Sequence, residues 1–308
     1  MNGLSGSSRL VVAAIVATIF AALTWADANG FGGAMPAWYL LPVVVLLAVG
    51  GVDELIRLFA ARDLLLPSWL LRPLAVAIPL AAAFGTQAFV AETARASPAA
   101  SMGWPAFVFM LSVMILFAVE IAGYRPAGRA VERLSASALI LAFIGLPLAF
   151  MVSLRLICLE NLGLEQTGRG HLGIVPLVSL VAVVKAGDIA AYAIGSLCGR
   201  NRMAPVLSPG KTWEGALASL AASLAVAWLL VGTSAIDLPI RPWGGWVAYG
   251  FAVGLSGIAG DLAESLLKRE AGTKDSGRSL GGLGGVLDLV DSLLFAAPIA
   301  WALWAIGR

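Results

Sequence analysis

The chain is poor in the side chains on which many soluble enzymes depend. His171 is its only histidine, and its two cysteines, Cys158 and Cys198, lie far apart without metal-ligand spacing. These scarcities argue against a zinc site and against a Ser-His-Asp hydrolase, and they imply no disulfide framework. Charge is equally sparse. Only 12% of the 308 residues are charged and the net charge is +2, so no nucleic-acid partner is expected. There is no internal repeat and no low-complexity linker. What fills the chain instead is apolar: 60% hydrophobic residues and a mean hydropathy of +0.91 describe an integral membrane protein.

Apolar runs long enough to cross a bilayer number about nine, near 9–25, 36–52, 73–91, 103–122, 134–154, 173–197, 214–233, 243–264 and 286–306. The expected fold is therefore an all-α, polytopic helical bundle embedded in a lipid bilayer. With the N-terminus inside, fourteen lysines and arginines fall in inner segments and five (Arg95, Arg155, Arg169, Arg241, Arg308) in outer ones, while Lys185 lies within a span. That bias predicts an N-in, C-out topology with the loops 198–213 and 265–285 on the cytoplasmic side. The polar stretch 155–172 then becomes an outer loop. The first five spans are bland, and polar chemistry concentrates after residue 183. This suggests scaffold helices over 1–172 and a reaction half over 173–308, within one membrane domain. The Arg-rich, Lys-poor composition points to a bacterial inner membrane.

The most unusual stretch runs from Gly260 to Ser292. It holds acidic positions suited to a metal (Asp261, Asp275, Asp288, Asp291), the basic residues Lys268, Arg269, Lys274 and Arg278, and the glycine run Gly281-Gly282-Leu283-Gly284-Gly285. Asp288 and Asp291 are three apart at the start of the last apolar run, so on a helix they share a face. Asp261 and Glu264 repeat that spacing, with Lys268 on the same side. Converging carboxylates suit a hard cation such as Mg2+, which also takes water and phosphate oxygens. The glycines lead into a helix start near Val286, where exposed N–H groups attract phosphate.

A second group lies upstream. Lys185 and Asp188 sit inside the sixth span, where charge is costly and usually faces a cavity or a partner; they also have the spacing to neutralise each other. The loop that follows contains Ser208, Pro209, Gly210, Lys211, Thr212 and Trp213. It is not a Walker A loop, because Pro205 stands where that motif needs glycine. It reads as a helix start, capped by Thr212 or by Ser208 ahead of Pro209, with Lys211 able to reach a phosphate. Asp53, Glu54 and Arg57 read as a solvated helix end, and Glu120 as a partner for a nearby arginine.

At these stretches the chain resembles the CDP-diacylglycerol synthase (phosphatidate cytidylyltransferase) family. Ser265, Lys268, Arg269, Lys274, Asp275, Leu280, Gly281, Gly284, Gly285, Asp288 and Asp291 match its C-terminal signature in register. Ser208-Pro209-x-Lys211-Thr212-Trp213-Glu214-Gly215 is similar to its upstream motif, and Asp188 with Ala191-Tyr192 to a third element. The resemblance covers roughly 183–292. Two departures stand out: Leu283 replaces a histidine of the signature and Leu289 an arginine.

The resemblance implies that CTP and phosphatidate become CDP-diacylglycerol and pyrophosphate, with Mg2+ and room for a second cation. Asp261 and Asp288 would hold the metal directly, with Asp188 and Asp291 beside them. Lys211, Lys268 and Lys274 would hold the triphosphate, with Ser208 and Thr212 donating hydrogen bonds and Gly284 and Gly285 cradling phosphate. Asp261, Asp288 and Lys268 would thus be the catalytic set, and Arg269 or Arg200 would hold the lipid phosphate. Competing readings are a CTP-dependent lipid kinase or a cytidylyltransferase with another acceptor, and, from a different class, a transporter built around Lys185 and Asp188. A homodimer is compatible with the sequence.

Overall fold

A computed structural model describes residues 18–29, 37–90, 102–124, 128–162, 170–233, 238, 240–273 and 285–307. Within the described residues the apolar runs are helices, as expected. A helical segment over 18–28 (α1) is followed by α2 (Leu41–Ala60), α3 (Ser68–Val90), α4 (Gly103–Ala122), α5 (Ala130–Ile140) and α6 (Leu146–Leu162). Then come α7 (Val175–Cys198), α8 (Trp213–Ala227), α9 (Gly245–Glu270) and α10 (Val286–Ile306). A π-turn, Leu141–Gly145, joins α5 to α6 without a break.

Among the described residues, seven helices are long and apolar enough to cross a membrane. The sequence count of nine is thus not reproduced. Most of the expected span 9–25 lies outside the described residues. The second, α2, is disqualified by the charges in its last two turns, Asp53, Glu54 and Arg57. The expected outer loop 155–172 is also displaced: α6 continues to Leu162, and Arg155 is a buried helical residue. Likewise α9 overruns its expected end at 264. Lys268 and Arg269 are therefore residues of its last turn, where cations complement the partial negative charge of a helix C-terminus.

One element departs from the all-α expectation. Arg202–Ala204 (β1) and Ser208–Thr212 (β2) form an antiparallel hairpin, pairing Arg202 with Thr212 and Ala204 with Ser208. Thr212 then caps α8, its Oγ1 accepting the Gly215 N–H at 3.1 Å. Of the two caps the sequence offered, Thr212 is the one used.

The chain divides into two interleaved compact units, Met1–Ser153 with Glu270–Leu289, and Leu154–Arg269 with Val290–Arg308. In the first, Leu55, Leu71, Ile78, Ile140, Ile144 and Leu148 form a dry core, and Arg133 holds Glu120 through two hydrogen bonds of 2.8 and 2.6 Å. In the second, small residues let helices approach closely, the usual substitute in a membrane for the hydrophobic drive. A Cβ on Gly187 of α7 would lie 2.7 Å from Ser219 Oγ of α8, and one on Gly254 of α9 would lie 2.7 Å from Ser223 Oγ. Tyr249 and Ser179 share a buried hydroxyl–hydroxyl hydrogen bond of 2.7 Å, with Trp304 edge-on to the tyrosine ring.

Candidate active site

The second unit brings together the acidic residues that the sequence scatters over a hundred positions. The cause is a close helix crossing. A Cβ on Gly260 of α9 would stand 2.6 Å from the Asp291 carbonyl oxygen and 2.9 Å from Phe295 Cβ of α10. With no side chain there, the two backbones meet, and the next residue, Asp261, is carried against Asp291. Carboxylate oxygens of Asp261, Glu264 and Asp291 all lie within 4.8 Å of one another. Glu264 and Asp291 are buried, at 1% and 5% exposure.

Carboxylates this close to one another, two of them buried, require compensating positive charge. Lysines supply it. Lys211 Nζ of β2 is 2.9 Å from Asp261 Oδ2, and Lys268 Nζ is 2.6 Å from Glu264 Oε2 one turn along α9. On α7, Lys185 Nζ is 2.9 Å from Asp188 Oδ2. Ser292 joins the two acidic groups: its Oγ lies 3.4 Å from Asp188 Oδ1 and 3.2 Å from Asp291 Oδ1, and its N–H donates to the same Asp291 oxygen at 2.6 Å. Four carboxylates thus face three ammonium groups. The donor set is three carboxylates from two helices, Glu264 and Asp291 buried and Asp261 half-exposed, with compensating lysines alongside, and it fits a hard divalent cation better than a soft one.

The remaining expected residues are placed as follows. Ser208 opens β2, and the hydroxyl of Thr212 is engaged in capping α8. Arg269 donates from Nε to the Leu207 carbonyl at 3.1 Å, so it ties the hairpin tip to the end of α9. Asn201 braces the hairpin's base through Glu214, its Nδ2 donating to Oε1 at 2.8 Å. Lys274, Gly284, Asp275 and Leu283 lie outside the described residues.

Asp288 and Gly285 belong to the first unit, and there the start of α10 differs from the exposed phosphate cradle expected of it. The Gly285 N–H donates to Asp288 Oδ2 at 2.7 Å. The next two N–H groups, of Val286 and Leu287, donate to the carboxylate of Glu54, each at 2.8 Å. Carboxylates already occupy the anion positions of this helix terminus. Glu54 is fully buried, which corrects its reading as part of a solvated helix end.

Sequence reasoning thus underrated three residues. Glu264 was visible in its spacing from Asp261 but was left out of the metal set. Ser292 gave no signal beyond standing next to Asp291. Glu54 gave none, since a carboxylate at the polar end of an apolar helix usually faces water.

Comparisons with known proteins identify the family of the chain. The sequence profile described as the cytidylyltransferase family matches residues 7–306. A phosphatidate cytidylyltransferase of Brucella suis is 47% identical over 136 residues, 44% of this chain and 48% of that protein. One from Chlamydia muridarum is 38% identical over 149 residues, 47% and 48% of the two chains. The uncharacterized protein YnbB of Escherichia coli is 39% identical over 127 residues, 41% of each. The matched segments span less than half the length of these curated relatives.

Proposed function

The chain belongs to the cytidylyltransferase family, and from that premise we propose that it is a phosphatidate cytidylyltransferase. In the proposed reaction, a phosphate oxygen of phosphatidate forms a bond to the α-phosphorus of CTP. The α–β anhydride bond breaks, pyrophosphate leaves, and CDP-diacylglycerol stays in the membrane. The single observation that carries the reading is the convergence of Asp261, Glu264 and Asp291 beside Lys211 and Lys268. Carboxylates for a metal and lysines for phosphates are what transfer to a nucleotide's phosphorus requires, since it rests on positioning and charge neutralisation.

Asp261, Glu264 and Asp291 would hold Mg2+, with Asp188 beside them through Ser292. A bound Mg2+ supplies Lewis-acid neutralisation of phosphate oxygens. Lys211 and Lys268, paired with carboxylates in this structure, would turn part of their charge to the triphosphate, joined by Lys274. The lipid phosphate is anionic at neutral pH, so no strong general base is needed. That makes Leu283, where the family signature has histidine, compatible with activity. Ser208 would donate a hydrogen bond to phosphate. Thr212 would act by holding the start of α8, and Arg269 by fixing the hairpin that carries Lys211. The reaction face would be cytoplasmic, on a bacterial inner membrane.

The test is direct. Purified protein in detergent is given labelled CTP, Mg2+ and phosphatidate, and the organic phase is counted. Label is expected there, lost on chelation of Mg2+ and lost in D261N. Label that appears only with an isoprenoid acceptor, or as a transferred terminal phosphate, would replace this reading. Solute flux in proteoliposomes without CTP would replace it with a transporter.

A further inference from the structure

The hairpin that carries Lys211 is fastened at its base by a carboxylate that the proposed chemistry does not use. Asn201 donates to Glu214 from two nitrogens. Its backbone N–H is shared between Oε1 at 3.2 Å and Oε2 at 3.3 Å, and its Nδ2 gives the short bond to Oε1, 2.8 Å. A return bond runs from the Trp213 N–H to the Asn201 carbonyl at 2.9 Å. Asn201 stands directly before β1 and Trp213 directly after β2, so the chain is closed where it enters and leaves the hairpin.

This closure matters because the ladder itself holds Lys211 poorly. From Arg202 to Ala204 is two steps along β1, whereas their partners Thr212 and Ser208 are four steps apart along β2, so β2 bulges. Pro209, Gly210 and Lys211 share the bulge. Pro209 has no N–H to donate, and Gly210 has open space where a Cβ would stand. A bulge re-aims the side chains it carries, and a two-stranded hairpin is marginal alone. The aim of Lys211, whose Nζ is 2.9 Å from Asp261 Oδ2, therefore depends on what holds the two ends of the bulge. Arg269 grips Leu207 before it, and Glu214 closes the base after it.

The place of Glu214 in α8 fits this role. Thr212 is the N-cap, so Glu214 is the second helical residue. A capping box needs its glutamate at the third, which here is Gly215. A first-turn glutamate favours the helix dipole whichever way it points, yet this one spends both oxygens on Asn201. We propose that Glu214, through Asn201, is a positioning residue that aims Lys211 at the triphosphate site beside Asp261.

This rests on the reading of Lys211 as a triphosphate ligand, so the experiment separates the two. Binding of labelled CTP with Mg2+ is measured by equilibrium dialysis in detergent for wild type, E214A, E214Q, N201A, K211A and the E214A/K211A double variant. Unfolding midpoints, and KM for phosphatidate in E214A and N201A, are read alongside. E214A and N201A are each expected to weaken CTP binding about 10-fold, inside the roughly 100-fold that misplacing a group by about 1 Å can cost. KM for phosphatidate stays at its wild-type value. E214Q keeps an acceptor oxygen for Asn201 and recovers most of the loss. In the K211A background E214A adds nothing, because its effect passes through the lysine.

A lowered unfolding midpoint with an unchanged CTP constant in E214A and N201A would mean a merely structural clasp, and overturns the proposal. So does an E214A loss as large in the K211A background as in wild type. If E214A does not accumulate folded, N201A and N201A/K211A carry the same comparison, since they remove only the side-chain donor of the clasp. A K211A protein that binds CTP like wild type sinks the reading of Lys211 itself. Loss in K211A with none in E214A or N201A sinks only the positioning role.

Discussion

The Ser292 hydroxyl sits between two carboxylates, 3.2 Å from Asp291 and 3.4 Å from Asp188. One hydroxyl proton cannot serve both at once, so it ties whichever oxygen needs it and keeps the other at a fixed distance. Removing it in S292A is expected to raise the Mg2+ concentration for half-maximal turnover about 10–100-fold, with KM for phosphatidate unchanged. A Mg2+ titration that overlays wild type would show that the hydroxyl has no orienting role. At Asp291 itself the expected loss is larger, because a ligand rather than its support is neutralised. D291N should lower turnover at least ~100-fold, since each 1.36 kcal/mol of lost transition-state stabilisation is a factor of ten. The two residues differ in how readable they are. Asp291 announces itself as a charge in an apolar run, whereas Ser292 is one of many serines and acquires its role only when α7 is laid beside α10.

At the scale of the element, the α9–α10 crossing depends on one missing side chain. Alanine is ordinarily the better helix residue by about 0.5–1 kcal/mol. At Gly260 the new Cβ would fall 2.6 Å from a backbone carbonyl that has no rotamer by which to escape. Overpacking costs about 1–3 kcal/mol, so the clash wins. G260A should lower the unfolding midpoint and weaken metal activation together, whereas G103A, with nothing within 4 Å of its Cβ, should be neutral or slightly stabilising. Equal midpoints for the two variants would remove the crossing from the argument. Most helices were legible because hydropathy alone decides where a chain can lie in lipid, and the Thr212 cap was legible because capping is local. The hairpin was not. Its strands are three and five residues long, β2 contains Pro209 and Gly210, and neither alternates, so their pairing depends on each other, on Arg269 gripping Leu207 and on Asn201 bracing the base through Glu214. The C-terminal overrun of α9 was hidden for a related reason: an amphipathic last turn looks like a loop to a hydropathy count.

At the scale of the whole molecule, the charges gathered in the second unit predict an order of binding. Among the described residues, the group Asp188, Asp261, Glu264 and Asp291 is joined by the lysines Lys185, Lys211 and Lys268. A CTP triphosphate approaching this set without a divalent cation meets a small excess of negative charge, with every lysine already paired to a carboxylate. Neutralising the carboxylates with Mg2+ both removes the repulsion and frees ammonium charge for the phosphates. Thermal unfolding in detergent reads this directly, because a ligand that binds only the folded chain stabilises it by about 2.7 kcal/mol at a hundred times its Kd. Mg2+ alone should raise the midpoint, CTP in EDTA should leave it where it is, and the two together should raise it beyond Mg2+ alone. D261N should abolish the first shift and, through it, the third. If CTP stabilises the chain equally with and without a divalent cation, the lysines are already directed at phosphate, and the carboxylates they pair with have some task other than holding a metal.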